Sequence, residues 1–367
     1  MTNNISLYFH IPFCAKKCDY CAFYSLANQG DEIKKEYFDA LMRQIDFFET
    51  DKTVSTVYFG GGTPPLLGIG RICTIIRRIK ENFDLAQECE ITVEINPGMV
   101  CRDDLQALFD AGVNRLSIGI QSADDKILKL IGRIHDFAQA EKCIIDARKV
   151  GFKNISADVI FALPEQTLDQ FTEGLKRIIK LGVEHISAYS LQLEDGTPLF
   201  ERASNLSFPD EDLEETQYEA LCRILSENGF THYEVSSFCK PNFESRHNLN
   251  YWIYGEYFGF GAGAHSFYKQ KRFSAKADIR FYIENSFSSL LSPTDFYERD
   301  IISEEETAEE KIMLGLRTNR GAGIPENAIS VAIRISKLGY GRFENGILTL
   351  NDKGFRVSNE IISEILV

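Results

Sequence analysis

HIPFCAKKCDYCAFYS, residues 10–25, places Cys14, Cys18 and Cys21 on one short stretch and puts Phe23 where another cysteine could have completed a set of four. Thiolate metal sites usually take four protein ligands. A C-x3-C-x2-C set on one loop can instead place three thiolates around one face of a cubane iron–sulfur cluster, leaving the fourth iron without a protein ligand. Two blander readings stay open at this point. One is a zinc site completed by His10 or a distant residue, and the other is a chance group of buried cysteines. Zinc spacings more often show paired C-x2-C units, and this chain has no second pair, so the spacing favours the cluster.

The remaining cysteines lie singly at Cys73, Cys89, Cys101, Cys143, Cys222 and Cys239, which suits a reducing, cytoplasmic setting. With 54 acidic against 40 Lys and Arg residues, the 367-residue chain has a formal charge of −14. That balance argues against a protein built to grip nucleic acid. No charged leader runs into an apolar stretch, so no targeting segment is expected. The most membrane-like run, YWIYGEYFGFGAGAHSFY (251–268), carries Glu256, His265 and several glycines, and reads as a glycine-rich turn or buried strand. No transmembrane segment is expected; peripheral membrane association stays open.

From the amino terminus to about residue 240, β-branched apolar runs alternate with amphipathic stretches, the pattern of repeated βα units around a parallel sheet. Strands are expected at 5–10, 54–59, 88–95, 114–120, 155–163 and 185–193, and helices at 32–49, 137–151 and 168–182. Six units predict an α/β fold, a partial (βα)6 barrel over 1–240, with the cluster loop at 10–23. In such a barrel, reactive residues collect at the carboxyl ends of the strands. The cysteine loop, GGGTP (60–64), Glu94, Gln121 and Asp158 all fall there. Residues 241–300, with SRHNLNYW and the glycine-rich run, are expected to pack on the barrel. Residues 301–367 are expected to form a small helical, winged-helix-like unit, with SEEETAEE (303–310) as an exposed first helical turn and Asn351 and Asp352 in a turn. The acidic balance makes a structural or docking role a better reading of that unit than DNA binding.

CAKKCDYC, with Tyr20 before the third cysteine, at the end of a barrel's first strand, resembles the signature of the radical S-adenosylmethionine superfamily. The resemblance implies a 4Fe-4S cluster held by Cys14, Cys18 and Cys21, with the amino and carboxylate groups of S-adenosylmethionine on the open iron. It implies that Gly61, Gly62 and Thr63 hold the methionine amino group, although a generic glycine turn would look the same. It further implies that Glu94 meets the ribose hydroxyls, and that Tyr8, Tyr20, Gln121, Arg133 and Asp158 line the same site. Taken singly, each could be a surface or cap residue.

YFHIPFC, GGGTP, SIGIQS and HNLNYW together resemble the oxygen-independent coproporphyrinogen III oxidase-like family over most of the chain. Phe23, in place of a further cysteine, and the short run before Cys14 point to its heme-chaperone branch rather than to the oxidase. The resemblance then implies heme as cargo and an unidentified heme-acceptor protein as partner. HNLNYW (247–252) offers His247 as a heme ligand, on one helical face with Tyr251; a hydrogen-bonded core histidine stays open. Radical oxidative decarboxylation of coproporphyrinogen III is the competing function, and a radical reaction on another substrate is a third. No coproporphyrinogen III dehydrogenase activity is expected of the chain.

Overall fold

The computed structural model describes residues 3–285, 297–300 and 302–366; part of the 241–300 segment therefore lies outside the described residues. Its frame is a run of parallel strands adjacent in chain order: β1 (Asn4–Ile11), β2 (Thr53–Gly61), β3 (Leu85–Ile95), β4 (Arg115–Gln121), β5 (Asn154–Phe161) and β6 (His185–Ser190). Helices Asp31–Phe47, Ile69–Asn82, Arg102–Ala111, Phe137–Val150 and Leu168–Lys180 fill the successive crossovers. Their ends follow local chemistry. Asp136 accepts from the Gln139 amide at 2.8 Å while the Gln139 side chain accepts from the Asp136 amide at 3.0 Å. Thr167 and Gln170 repeat this reciprocal cap on the next helix.

Two features go beyond a simple six-unit barrel. Strand Tyr257–Phe260, late in the chain, adds in parallel to the free edge of β1, followed outward by antiparallel strands His265–Tyr268, Lys271–Ala275 and Tyr297–Asp300. On the other edge, β6 pairs antiparallel with Ser237–Cys239, and that strand with Thr231–Glu234. The sheet has two edges, so the barrel is open. His265, in the run read as a glycine-rich turn or buried strand, begins a strand and is exposed.

Strand alternation separates two environments. Ile5, Leu7, Phe9, Val57, Phe59, Val93, Leu116 and Ile118 face the helices in one apolar core, where the Phe9 ring stacks on Phe59 and Phe260 with centroids 4.9 and 4.6 Å apart. Their neighbours on the inner face are polar and buried: Ser6, Thr56, Thr92, Arg115, Ser117, Ser156, His185 and Ser187.

The carboxyl-terminal unit has its own apolar cluster, including Leu316, Ile335, Leu348, Phe355 and Ile361. A three-stranded antiparallel sheet (Ala322–Gly323, Ile347–Leu350, Gly341–Glu344) packs there with helices Glu304–Gly315, Ile329–Lys337 and Ser358–Leu366. Ser303 and Glu306 form the expected acidic helix start, a reciprocal cap. Asn351, expected in a turn, instead caps the short helix Asp352–Arg356 by accepting from the Gly354 amide. The unit joins the barrel through Val235 N to Arg317 O (2.8 Å) and Asn319 N to Tyr233 O (3.0 Å).

Tyr37 ties the first helix to the end of β1. Its hydroxyl donates to the His10 carbonyl at 2.8 Å and accepts from the Ala262 amide at 3.0 Å. Gly261 has φ +104°, and a Cβ there would sit 2.3 Å from the Tyr37 hydroxyl, so the glycine-rich run is shaped for this contact. Tyr37→Phe leaves a buried carbonyl and a buried amide without this partner, an expected loss of about 1–3 kcal/mol, read as a lower urea midpoint.

Candidate functional site

Cys14 closes a two-residue strand, Phe13–Cys14, that pairs in parallel with Leu26–Ala27. Between them the loop turns tightly, with Cys21 N donating to Cys18 O at 3.1 Å. Asp19 anchors it. The Asp19 amide donates to Ile131 O at 3.1 Å, its carbonyl accepts from Leu199 N at 2.8 Å, and its carboxylate pairs with Arg202 at 2.6 Å. Gly132 has φ +78°, and a Cβ there would lie 2.3 Å from Asp19 Oδ1. Only glycine lets these segments approach so closely. The Tyr20 ring packs against the apolar group of Ile127, Ile131, Ile160 and Leu163. Phe23 is 71% exposed beside the loop.

Three thiolates on one loop match the ligand count of a cubane cluster with one open iron, whereas a single tetrahedral zinc would need a fourth ligand.

The end of β2 is built against this loop. Gly62 N donates to Ile11 O at 2.9 Å and Thr63 N to Phe13 O at 2.7 Å, which carries the β1–β2 ladder into the cysteine segment. A Cβ on Gly62 would stand 2.6 Å from Phe13 O, and one on Gly61 2.5 Å from the His10 ring. The glycines thus answer a close backbone approach, and two of the segment's amides are taken by the loop. The Thr63 hydroxyl lies 3.9 Å from Cys14 Sγ and accepts from Asn96 Nδ2 at 2.8 Å.

Glu94, at the end of β3, accepts from the Tyr58 hydroxyl at 2.8 Å and from Gly61 N at 3.3 Å. Burial, reinforced by the Asp158 carboxylate, pushes its carboxyl up to about 7. Asp158 on β5 accepts from Ser117 at 3.1 Å, and burial raises it too. The Tyr8 hydroxyl meets His10 Nδ1 at 3.0 Å, and burial with the nearby Glu94 raises it. Gln121 ends β4 with φ +65°.

Arg133 joins the parts. Its guanidinium donates to Cys18 Sγ at 3.3 Å, and to Asn96 Oδ1 and Gly119 O at 2.6 Å each. Its buried Nε has no partner. A chain Cys18–Arg133–Asn96–Thr63–Cys14 therefore connects two of the thiols. Asn96 escaped the motif reading, although its position two residues after Glu94, at a strand end and before Pro97, was the available signal.

His247 lies elsewhere, inside the barrel. It is 1% exposed, with Nδ1 2.7 Å from the Thr56 hydroxyl and Nε2 2.8 Å from the Tyr251 hydroxyl. Its ring stacks on Tyr58 at 4.9 Å, and burial holds it down to about 3. The helix Arg246–Trp252 that carries it starts on Glu90, whose carboxylate accepts the amides of Arg246 and His247 at 3.2 and 3.0 Å. Both ring nitrogens are engaged, so the expected heme ligand occupies the place of a hydrogen-bonded core histidine. No helix among the described residues is long and apolar enough to cross a membrane.

Residues 8–187 match the Radical SAM superfamily. Over 99% of its length the chain is 34% identical to the heme chaperone HemW of Lactococcus lactis subsp. lactis (strain IL1403), covering 97% of that protein. It is 36% identical to the heme chaperone HemW of Bacillus subtilis (strain 168), over 86% of this chain and 84% of that one. It is 32% identical to the mitochondrial radical S-adenosyl methionine domain-containing protein 1 of Danio rerio, over 97% of this chain and 84% of that one. The solved structure of coproporphyrinogen III oxidase (HemN) from Escherichia coli, a radical SAM enzyme, superposes with a TM-score of 0.85 over 99% of this chain and 90% of that one, at 20% identity. At that identity the likeness is one of fold.

Glu94 sets a pH dependence. With a folded value near 7 against an ordinary 4.5, the unfolded chain releases this proton first, so stability falls as pH rises from 4.5 to 7. Glu94→Gln keeps one acceptor oxygen, where Glu94 offers one to Tyr58 and the other to Gly61, and cannot ionise. Relative to wild type it should gain about 2–3 kcal/mol between pH 5 and pH 8, measured by urea unfolding at both values.

Proposed function

This chain belongs to the HemW family of radical S-adenosylmethionine proteins, and we propose that it is a heme chaperone, binding heme and passing it to an acceptor protein. The observation that carries this function is the identity with heme chaperones through nearly the whole length, the carboxyl-terminal unit included. Phe23 supports it locally, because no fourth thiol follows the cluster set where the oxidase branch carries one. A porphyrinogen with four propionates would want several convergent basic groups. The two guanidinium groups described at the loop, Arg133 and Arg202, are already engaged by Asn96, Gly119 O, Cys18 and Asp19.

Cys14, Cys18 and Cys21 would hold the 4Fe-4S cluster, which, when bound, supplies one-electron reducing chemistry to the sulfonium of S-adenosylmethionine. Gly61, Gly62 and Thr63 would meet the methionine ammonium group. Since the amides of Gly62 and Thr63 are bonded to the loop, carbonyl oxygens are what that segment offers to a donor. Glu94, held in place by Tyr58 and Gly61, would accept the ribose hydroxyls once ionised. The free Arg133 Nε suits the methionine carboxylate. Tyr8, Tyr20, Gln121 and Asp158 would wall the same space. His247 would work from below, keeping Tyr58 and so Glu94 in position. The axial ligand of the heme would be a different group.

The test is anaerobic. Cluster-reconstituted protein is given S-adenosylmethionine, a low-potential reductant and coproporphyrinogen III, beside a genuine oxidase. Decarboxylation should be absent, while titrated heme should bind and then move to an apo-cytochrome, followed by its Soret band. Turnover of coproporphyrinogen III, or failure to bind and transfer heme, would overturn the function. His247→Gln should leave the Soret position and heme stoichiometry unchanged while weakening S-adenosylmethionine binding by roughly tenfold through its loosened support of Tyr58 and Glu94.

A further inference from the structure

Helix Glu211–Glu227, strand Thr231–Glu234 and helix Asp352–Arg356 converge at the junction between barrel and carboxyl-terminal unit. There the Cys222 sulfur, a His232 ring nitrogen and an Asp352 carboxylate oxygen all lie within 4.8 Å of one another. We propose that Cys222, His232 and Asp352 form a divalent transition-metal site, zinc by the character of its donors, that fastens the carboxyl-terminal unit to the barrel.

The surroundings are those of a built site. His232 Nδ1 is 2.8 Å from Asp352 Oδ1, and its other nitrogen, Nε2, is 3.4 Å from the Val235 carbonyl. Metal-binding imidazoles keep their second ring N–H on such a carbonyl, which fixes ring orientation and tautomer. The His232 ring is stacked on Phe238 at 3.9 Å and met edge-on by Phe355 at 4.7 Å, so it cannot swing away. The Tyr218 hydroxyl donates to the Asp352 backbone carbonyl at 2.9 Å, fixing the start of the helix that carries the carboxylate. Cys222 is buried and Asp352 is exposed, which gives a metal a path from solvent.

A thiolate, an imidazole and a carboxylate suit borderline-soft Zn2+, with a fourth position for water, and do not suit Mg2+ or Ca2+, which take oxygen ligands. Binding forms the sulfur–metal and Nδ1–metal bonds; the Cys222 thiol proton goes to solvent, and the proton that Nδ1 holds against Asp352 in the metal-free protein moves to Nε2, facing the Val235 carbonyl. The three donors come from two units of the fold, so the metal would add to the backbone contacts of Val235 with Arg317 and Asn319 with Tyr233. None of them belongs to the cysteine loop.

Co2+ serves as the optical probe, added anaerobically to full-length chain in which Cys14, Cys18 and Cys21 are serine, so that no loop thiolate contributes. One Co2+ per chain should bind with a thiolate-to-cobalt charge-transfer band, which Zn2+ then bleaches. Cys222→Ala should abolish the band, and Asp352→Asn, at an exposed position, should weaken Co2+ binding by roughly tenfold or more. In cluster-loaded wild type, Zn2+ should raise the melting temperature, and in the Cys222→Ala protein it should not. Absence of the band, its survival in Cys222→Ala, or unchanged affinity in Asp352→Asn would leave His232 and Asp352 as a plain ion pair and overturn the site.

Discussion

Two backbone hydrogen bonds, Gly62 N to Ile11 O and Thr63 N to Phe13 O, carry the parallel ladder of the first two strands past the barrel rim. Much of the site depends on that extension. It fixes where Phe13 and Cys14 run, and Gly61 and Gly62 must be glycine because side chains there would enter the His10 ring and the loop's own carbonyls. It also sets Thr63 beside Cys14 and Gly61 beside Glu94, so loop and nucleotide-binding candidates share one rigid seam. A site held on strand ends in this way is more exactly placed than one on a free loop.

Below the rim the barrel is polar where most cores are apolar. The inner face stacks Ser6 on Thr56, Thr56 on His247, Ser117 on Asp158 and Ser156 on His185, each through a direct hydrogen bond between side chains or, for the first pair, hydroxyl to hydroxyl. Arg115 is 1% exposed on that face, with its Nε unpartnered. Buried polar networks of this kind are stable only when nearly complete. His247 and Tyr251 share a helical face and both belong to the network, His247 meeting the Thr56 hydroxyl on one side and the Tyr251 hydroxyl on the other.

The parallel βα frame and the placement of Cys14, Glu94 and Gln121 at or just past strand ends were legible because each is written in a few neighbouring residues; Asp158, expected at a strand end, lies inside Asn154–Phe161, three residues before that strand stops. What escaped was non-local. Asn96 matters because Arg133 and Thr63 reach it from other βα units. Gly132 matters because Asp19, more than a hundred positions away, is packed against it. The strand Tyr257–Phe260 read as a glycine-rich turn or buried strand, but nothing near it in sequence announces β1 as its partner. The partner of His247 Nδ1 is likewise Thr56, a residue of the second strand.

That late pairing bears on biogenesis. β1 leads directly into the cysteine loop, yet one of its two neighbours, Tyr257–Phe260, is made only after about two-thirds of the chain has left the ribosome. Until then the outer edge of β1 is an unpaired strand edge, open to pairing with other chains. The glycine turn that receives Tyr37 is equally absent at that stage, so the cradle around the nascent thiols is incomplete. A fully formed pocket around the three thiols is thus a late event in synthesis, and a nascent chain stalled before residue 257 carries them on an unfinished barrel.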